Sequence, residues 1–271
     1  MEPTTEMAAL KTRLKAVWES GDYDNFSNFL KPGAMEFFDR LDIPAGTKLL
    51  DIGCGSGQLS IPAARRGIDV TAIDLAQNLV DKANEYSRAE GLDIRIEQGD
   101  AEDLQFGDGE FDIALSLIGS MFAPRPELVA SEMLRVVKPG GKVIMGNWTP
   151  AGHVGQFFKV IGKFAPPPPI FPSPMLWGDP GIVRERFGDG VSDLRMTTYY
   201  YPMILSIPPR EVTDFFIDYY GPTNRAFASL DEENKSAFKD EFTAVWERNN
   251  QATDGTTNVP AEYIEVVGTK A

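Results

Sequence analysis

Leu49-Leu50-Asp51-Ile52-Gly53-Cys54-Gly55-Ser56-Gly57 runs from apolar residues into three glycines at alternate positions, and a helix-compatible stretch follows over 58–66. This reads as a buried strand, a tight turn and a helix N-terminus. Glycines in such a turn let the backbone take positive φ and let a ligand come close to the main chain. At the carboxyl end of a strand, that is where open α/β sheets bind nucleotide-like ligands. The spacing is Gly-x-Gly-x-Gly; Gln58 stands where the dinucleotide fingerprint has its third glycine. On turn chemistry alone, a plain strand-to-helix joint reads the same way.

The neighbouring strands bear on that choice. Residues 68–74, IDVTAID, read as a second strand ending in an acid about 20 residues on, the spacing that sets a carboxylate beside a ribose in a βαβ unit. Residues 94–100, IRIEQGD, read as a third strand ending in another acid. With these in place the chain resembles the class I S-adenosylmethionine-dependent methyltransferases, most closely the ubiquinone/menaquinone C-methyltransferase-like group. The resemblance runs from about Leu49 to Trp148 and rests on four motifs in order, LLDIGCGSG, VTAIDLA, QGDAEDLQF and LRVVKPGGKVIMGNW.

The resemblance implies an α/β fold: a doubly wound, mostly parallel seven-stranded sheet with helices on both faces and an antiparallel edge strand. It implies one catalytic domain over 1–271, with an N-terminal helical lid (1–44), a cofactor-binding core (45–150) and an acceptor-side insertion with closing strands (151–271). S-adenosyl-L-methionine is the implied cofactor. By resemblance, the backbone of Gly53, Cys54, Gly55 and Gly57 passes close to its amino-acid and ribose portions, and Asp74 accepts from both ribose hydroxyls. Leu75 and Leu79 cover the adenine, Asp100 and the Ala101 amide meet its polar edge with Glu102 alongside, and Ser116 meets the amino-acid end. Asp51 either contacts the cofactor through its network or bonds only to loop amides. Trp18 and Tyr23, in the N-terminal helices, belong either to the lid and the cofactor site or to core packing.

The implied reaction is in-line displacement at the sulfonium methyl by a nucleophilic N, O, S or C atom, with S-adenosylhomocysteine as product. Holding the reacting atoms in line supplies much of the rate, up to about 7–11 kcal/mol. A general base is needed only for an acceptor with a high pKa. His153, the one histidine, follows the fifth strand closely and reads either as that base or as a polar surface residue. Phe122, Trp148, Phe157, Phe158 and Trp177 read as an aromatic acceptor pocket or as core.

Composition narrows the partners. The net charge is −14, and no run of Lys and Arg offsets it, which disfavours nucleic acid and anionic lipid surfaces. The expected acceptor is a small, partly apolar metabolite. No apolar run approaches the roughly 20 residues of a membrane span. The N-terminal stretch lacks the pattern of a signal peptide, and a cytoplasmic location is expected. A single cysteine, Cys54, excludes an internal disulfide framework and a cysteine metal cluster, and no metal is expected. Cys54 reads as a small residue packed beside the turn, with a reactive thiol as the alternative.

The remaining chain reads as helices over 1–20 and 25–41, the second interrupted at 31–33, and helix again over 76–91 and 125–137. Strands are expected over 48–53, 111–119 and 142–148, with a turn at 138–141 and a small helical turn in the acidic link 100–111. Past a helix at 154–164, four prolines at 166–169 read as a stiff loop closing one wall of a pocket, or as a polyproline ligand. Strands at 196–205 and 261–268, antiparallel at one sheet edge by resemblance, flank helices at 209–220 and 231–249. Two rivals share parts of this pattern: an NAD(P)-dependent oxidoreductase, and a catalytically silent S-adenosylmethionine-binding protein.

Overall fold

The computed structural model describes residues 4–271. Seven strands form one sheet: β1 (Lys48–Ile52), β2 (Asp69–Asp74), β3 (Arg95–Gln98), β4 (Phe111–Leu117), β5 (Val137–Trp148), β6 (Val191–Leu205) and β7 (Thr257–Lys270). Their order across the sheet is β3-β2-β1-β4-β5-β7-β6. The first five run parallel, and β7 runs antiparallel to both β5 and β6. Chain order reverses between β1 and β4, so connections leave those neighbouring tips in opposite directions and a crevice opens between them. Both strands read as near-continuous apolar runs because both faces are covered: Leu49, Leu50, Ala114 and Leu115 are wholly buried.

The N-terminal layer is α1 (Thr5–Trp18), α2 (Tyr23–Ser27) and α3 (Lys31–Arg40). Thr4 Oγ1 caps α1 by accepting from the Met7 amide, and Asp22 caps α2 by accepting from the Asn25 amide. Of the helix expected over 1–20, residues 1–3 lie outside the described residues. The interruption expected at 31–33 is a helix start, because Pro32 fills an N-terminal position where a missing N–H costs nothing. Gly33 lies directly against the Tyr201 ring, where a side chain would collide.

The crossover helices α4 (Ser60–Arg65), α5 (Gln77–Ala89) and α6 (Pro126–Val136) return the chain between parallel strands. The link 100–111 holds turns and an isolated bridge between Asp100 and Asp103 in place of the expected helical turn. Residues 138–141, read as a free turn, belong to β5. Pairing of Phe111 with Val137 resumes at Ile113 with Lys142, so the extra residues bulge out, with Gly140 at φ +76°.

The C-terminal part adds α7 (His153–Phe164), α8 (Pro180–Phe187), α9 (Pro209–Tyr219), α10 (Gly221–Ala228) and α11 (Glu232–Asn249). Asp231 caps α11 by accepting from the Asn234 amide. Sequence reading missed α8 and α10; both are eight residues long and both open on a Gly-Pro or Pro-Gly pair that also reads as a turn. Among the described residues no helix is long and apolar enough to cross a membrane.

Candidate functional site

The glycine turn is suspended from its neighbour strand. The amides of Gly53 and Cys54 both donate to the Ile73 carbonyl, at 2.8 and 3.0 Å. Gly53, Gly55 and Gly57 all take positive φ, as the turn requires. Asp74, at the tip of β2, then ties the turn down: one carboxylate oxygen accepts from the Gly55 amide at 2.9 Å and the other from the Ala76 amide at 2.8 Å. Each oxygen keeps acceptor capacity to spare, and Asp74 lines the crevice. Burial pushes the Asp74 carboxyl up, and the amides of Ala76, Gly55 and Leu75 oppose it.

Asp51 sits under the same turn, 2% exposed, and accepts from Ser60 Oγ at 2.6 Å. Burial raises its carboxyl to about 7; the Ser60 bond lowers it and the nearby Asp74 raises it further. Cys54 is buried beside them, and burial, then Asp74 and Asp51, push its thiol up. These surroundings favour the packed reading of Cys54 over a reactive thiolate.

Across the crevice, the chain leaving β4 comes back against the turn. Ile118 takes φ +55°, a strained conformation for a β-branched residue. That bend brings Gly119 so close to Gly53 that a Cβ on Gly53 would lie 2.8 Å from the Gly119 Cα. Ser120 follows, lining the crevice, with its hydroxyl buried and without a protein partner.

The crevice opens into a cleft of about 1200 Å³, its mouth included. Gly53, Cys54, Gly55, Asp74, Asp100 and Ala101 line it along the strand tips, with Leu75 and Leu79 beyond β2. Trp18 and Tyr23 roof it, together with Leu14, Leu30, Phe122 and Tyr201. Trp18 meets Phe122 edge-on with ring centres 4.9 Å apart, and Tyr23 at 5.8 Å. These aromatic pairs fasten the N-terminal layer over the crevice. Lys11 of α1 adds an ionic tie, reaching both Asp100 and Glu102.

Several residues singled out in the sequence stand elsewhere. Ser116 does not reach the cleft; its hydroxyl donates to the Ile52 carbonyl at 2.6 Å and accepts from the Ser120 amide at 2.9 Å, holding β4 to β1. The unpartnered hydroxyl is four residues on, at Ser120. Glu102 lies behind the cleft wall, its side chain shielded from solvent and clasped by Arg125 through Nε at 2.7 Å and the backbone amide at 2.6 Å. Gly57 packs α4 inward: a Cβ there would meet Ile61 at 2.9 Å.

His153 is 3% exposed at the start of α7, its ring 4.2 Å from that of Trp246, with neither nitrogen partnered. Burial, helped by Arg248, lowers its pKa to about 3. It lines no part of the cleft, so the geometry removes it as a general base. Trp148 lies one layer behind, edge-on to Tyr201 at 5.3 Å, and Trp177 is core against Phe187. Of the expected pocket aromatics Phe122 lines the cleft, and the proline segment 166–169 forms none of its wall.

Lys11, Ser120 and Tyr201 escaped sequence reading. Lys11 had a signal: with Leu14 and Trp18 it falls at i, i+3 and i+7, one helical stripe, and all three face the cleft. Tyr201 was hidden in a run of three tyrosines. Only the alternation of β6 selects it, burying Tyr201 and leaving Tyr200 60% exposed.

The cleft's chemistry suits a molecule with a diol, a planar ring and a charged small end. Asp74 has acceptor capacity to spare, Leu75 and Leu79 offer apolar cover, and the orphaned Ser120 hydroxyl needs a partner. Comparisons with known proteins point the same way. The family described as "Methyltransferase domain" matches residues 50–145. An uncharacterized protein of Mycobacterium tuberculosis is 37% identical over 230 residues, covering 84% of each chain. A demethylmenaquinone methyltransferase of Lactobacillus johnsonii is 32% identical over 159 residues, 53% of this chain and 65% of that one. Among solved structures, phosphoethanolamine N-methyltransferase 2 of Haemonchus contortus in complex with S-adenosyl-L-methionine shares the fold, with TM-score 0.55 and 19% identity over 88% of this chain and 52% of that one.

Proposed function

This chain belongs to the class I S-adenosylmethionine-dependent methyltransferases, and from that premise we propose that it methylates a small, partly apolar metabolite by in-line displacement, releasing S-adenosylhomocysteine. S-adenosylmethionine supplies, when bound, a methyl group on a positively charged sulfur that is already a good leaving group. The reading is supported above all by one juxtaposition: the glycine turn, the Asp74 carboxylate and the unpartnered Ser120 hydroxyl face one cleft under an aromatic roof.

The roles we infer follow from placement. Asp74 accepts from the ribose hydroxyls while keeping the Gly55 and Ala76 amides. Leu75 and Leu79 cover the adenine, and Asp100 with the Ala101 amide meets its edge. Ser120 takes the role expected of Ser116, at the amino-acid end. Trp18, Tyr23 and Phe122 exclude water from the reacting centre and orient the acceptor, which is where orientation lowers the barrier. The chain divides accordingly into a lid over 1–44, a cofactor core over 45–150 and an acceptor-side part over 151–271.

Thermal denaturation with S-adenosylhomocysteine and with NAD tests the cofactor half. A rise in midpoint with the former alone is expected, and a rise with NAD alone would defeat the reading. Transfer of labelled methyl into a metabolite extract tests the catalytic half; tight cofactor binding without any transfer would mark a silent binding protein.

A further inference from the structure

A second depression lies at the other end of the parallel strands. It is lined by the start of β4 and the bulge of β5, whereas the cleft lies at the strand tips, and no residue lines both. Its volume is about 980 Å³, its mouth included. Ile113 and Ile144 are buried in its lining, while Leu41, Ile43 and Val267 are half-buried and offer apolar surface. The sheet register fixes part of this groove. Ile144 pairs with Val267, and Val267 with Arg195, so the three side chains stand in one row on one face. That row spans two strand spacings, about 10 Å. Lys142, two residues before Ile144 on β5, stands on the same face.

The groove runs against the charge of the chain. The molecule as a whole carries −14, yet here the lining holds four cations and three acids. Two of the acids are already neutralised: Glu265 by Arg40 at 3.2 Å and Asp112 by Lys138 at 2.6 Å. Arg40 is held further by the Tyr199 ring, 3.9 Å beneath its guanidinium. Lys142 and Arg195 are exposed, and neither side chain has an ion-pair or hydrogen-bond partner among the described residues. The one unpaired acid of the lining, among the described residues, is Asp42, exposed in the link between α3 and β1.

We propose that this groove binds a small amphipathic carboxylate, its apolar body against Leu41, Ile43 and Val267 and its head between Arg195 and Lys142. The site is separate from the methyl-transfer cleft, and the proposal does not rest on that reading. Arg195 presents the planar fork that matches a carboxylate, and Lys142 adds a point charge beside it. Both stems can lie along the apolar row while their heads stay in water, ready for a ligand. Two unpaired cations against one unpaired acid leave a single positive charge. A monoanion neutralises it, and a cationic ligand would add to it. The half-buried apolar side chains supply what a bare anion cannot use, which selects an anion carrying an apolar body.

The test is titration calorimetry on the full chain with four probes: octanoate, octanol, octyltrimethylammonium and acetate. Saturable binding of octanoate is expected, with each of the other three at least about tenfold weaker, because each lacks either the charge or the apolar body. Lys142→Gln combined with Arg195→Gln should weaken octanoate at least about tenfold. Both side chains are exposed and unpartnered, so this double variant should melt where the parent does; if it melts lower, the four probes on the parent chain decide alone. Octanol or octyltrimethylammonium binding as tightly as octanoate overturns the proposal, and so does acetate matching octanoate. Absence of saturable octanoate binding overturns it as well. Unchanged octanoate affinity in a double variant that melts with the parent would put the ligand elsewhere, the catalytic cleft included, and overturn it. Dimerisation in sedimentation runs, abolished by the double variant, would give the groove to a second copy of the chain, against the proposal.

Discussion

Lys11, on the first helix, forms an ion pair with Glu102, whose side chain is wholly shielded from solvent. Arg125 holds the same carboxylate from the other side, so Glu102 sits between two cations from distant parts of the chain. A buried charge held this way is costly to strand. Lys11→Met keeps the stem and removes the charge, while Arg125 still neutralises Glu102. The variant should fold, and the opening free energy of α1 should fall by about 1–3 kcal/mol, the scale of a charge-assisted hydrogen bond. Amide hydrogen exchange over residues 5–18 reads this directly; unchanged protection there would show that the aromatic contacts alone hold the helix.

Asp74→Ala removes the acceptor that faces the cleft and also frees the Gly55 amide. Affinity for S-adenosylhomocysteine should weaken by about 1–3 kcal/mol. Titration calorimetry measures it, and an unchanged dissociation constant would take Asp74 out of the cofactor site.

His153 gives a pH signature with a definite sign. Its pKa is about 3 in the folded protein against an ordinary 6.5, so the unfolded chain binds a proton that the native state refuses. Stability from this residue is full above 6.5 and is lost as pH falls towards 3, at up to about 1.4 kcal/mol per pH unit. Asp51, raised to about 7, acts with the opposite sign: its contribution is full at low pH and is lost as pH rises from about 4 to about 7. His153→Phe should therefore gain on the parent protein as pH drops below 6.5, in urea melts at several pH values. A difference independent of pH would mean that the imidazole titrates normally. Turnover at neutral pH should be unchanged by this substitution, because the ring lies outside the cleft.

Gly119→Ala tests the closeness of the two backbones. Its Cβ would meet the Gly53 Cα, the Gly53 carbonyl oxygen and the Ile52 carbonyl oxygen, all at 2.9 Å, and none of these can rotate away. A loss of about 1–3 kcal/mol is expected, with weaker cofactor binding. Gly46→Ala is the control: its φ is +79° but nothing lies within 4 Å of the new atom, so only the backbone strain, about 1–2 kcal/mol, remains. If the two variants cost the same and bind alike, the contact between the two loops is not tight.

The sheet was legible because its signals are local. The apolar run before Gly53 and the acid ending β2 each need only a short window, whereas the strands expected over 196–205 and 261–268 run further, as Val191–Leu205 and Thr257–Lys270. The strand tips carried the same clarity to Asp74 and Asp100. What failed depended on distance through space. Ser116 lies near the end of β4 and Ser120 just past it, with the bend at Ile118 between them, and Ser120 is the one that lines the cleft. His153 follows β5 closely in sequence, yet α7 turns it onto Trp246. Trp148 and Trp177 are large and apolar, as core and pocket residues both are, and composition cannot tell those fates apart. Lys11 sits far along the chain from Asp100 and Glu102, and only folding brings their charges together.

Tyr201 lies on β6, and within the sheet β6 is hydrogen-bonded to β7 alone, the last strand of the chain. The five parallel strands are all synthesised by residue 148, long before residues 257–270 leave the ribosome. A nascent chain can therefore shape the nucleoside crevice well ahead of the ceiling that Tyr201 completes by bonding to Leu30. The parallel strands that form the crevice and the strand that β6 needs as its partner are separated in translation by more than a hundred codons.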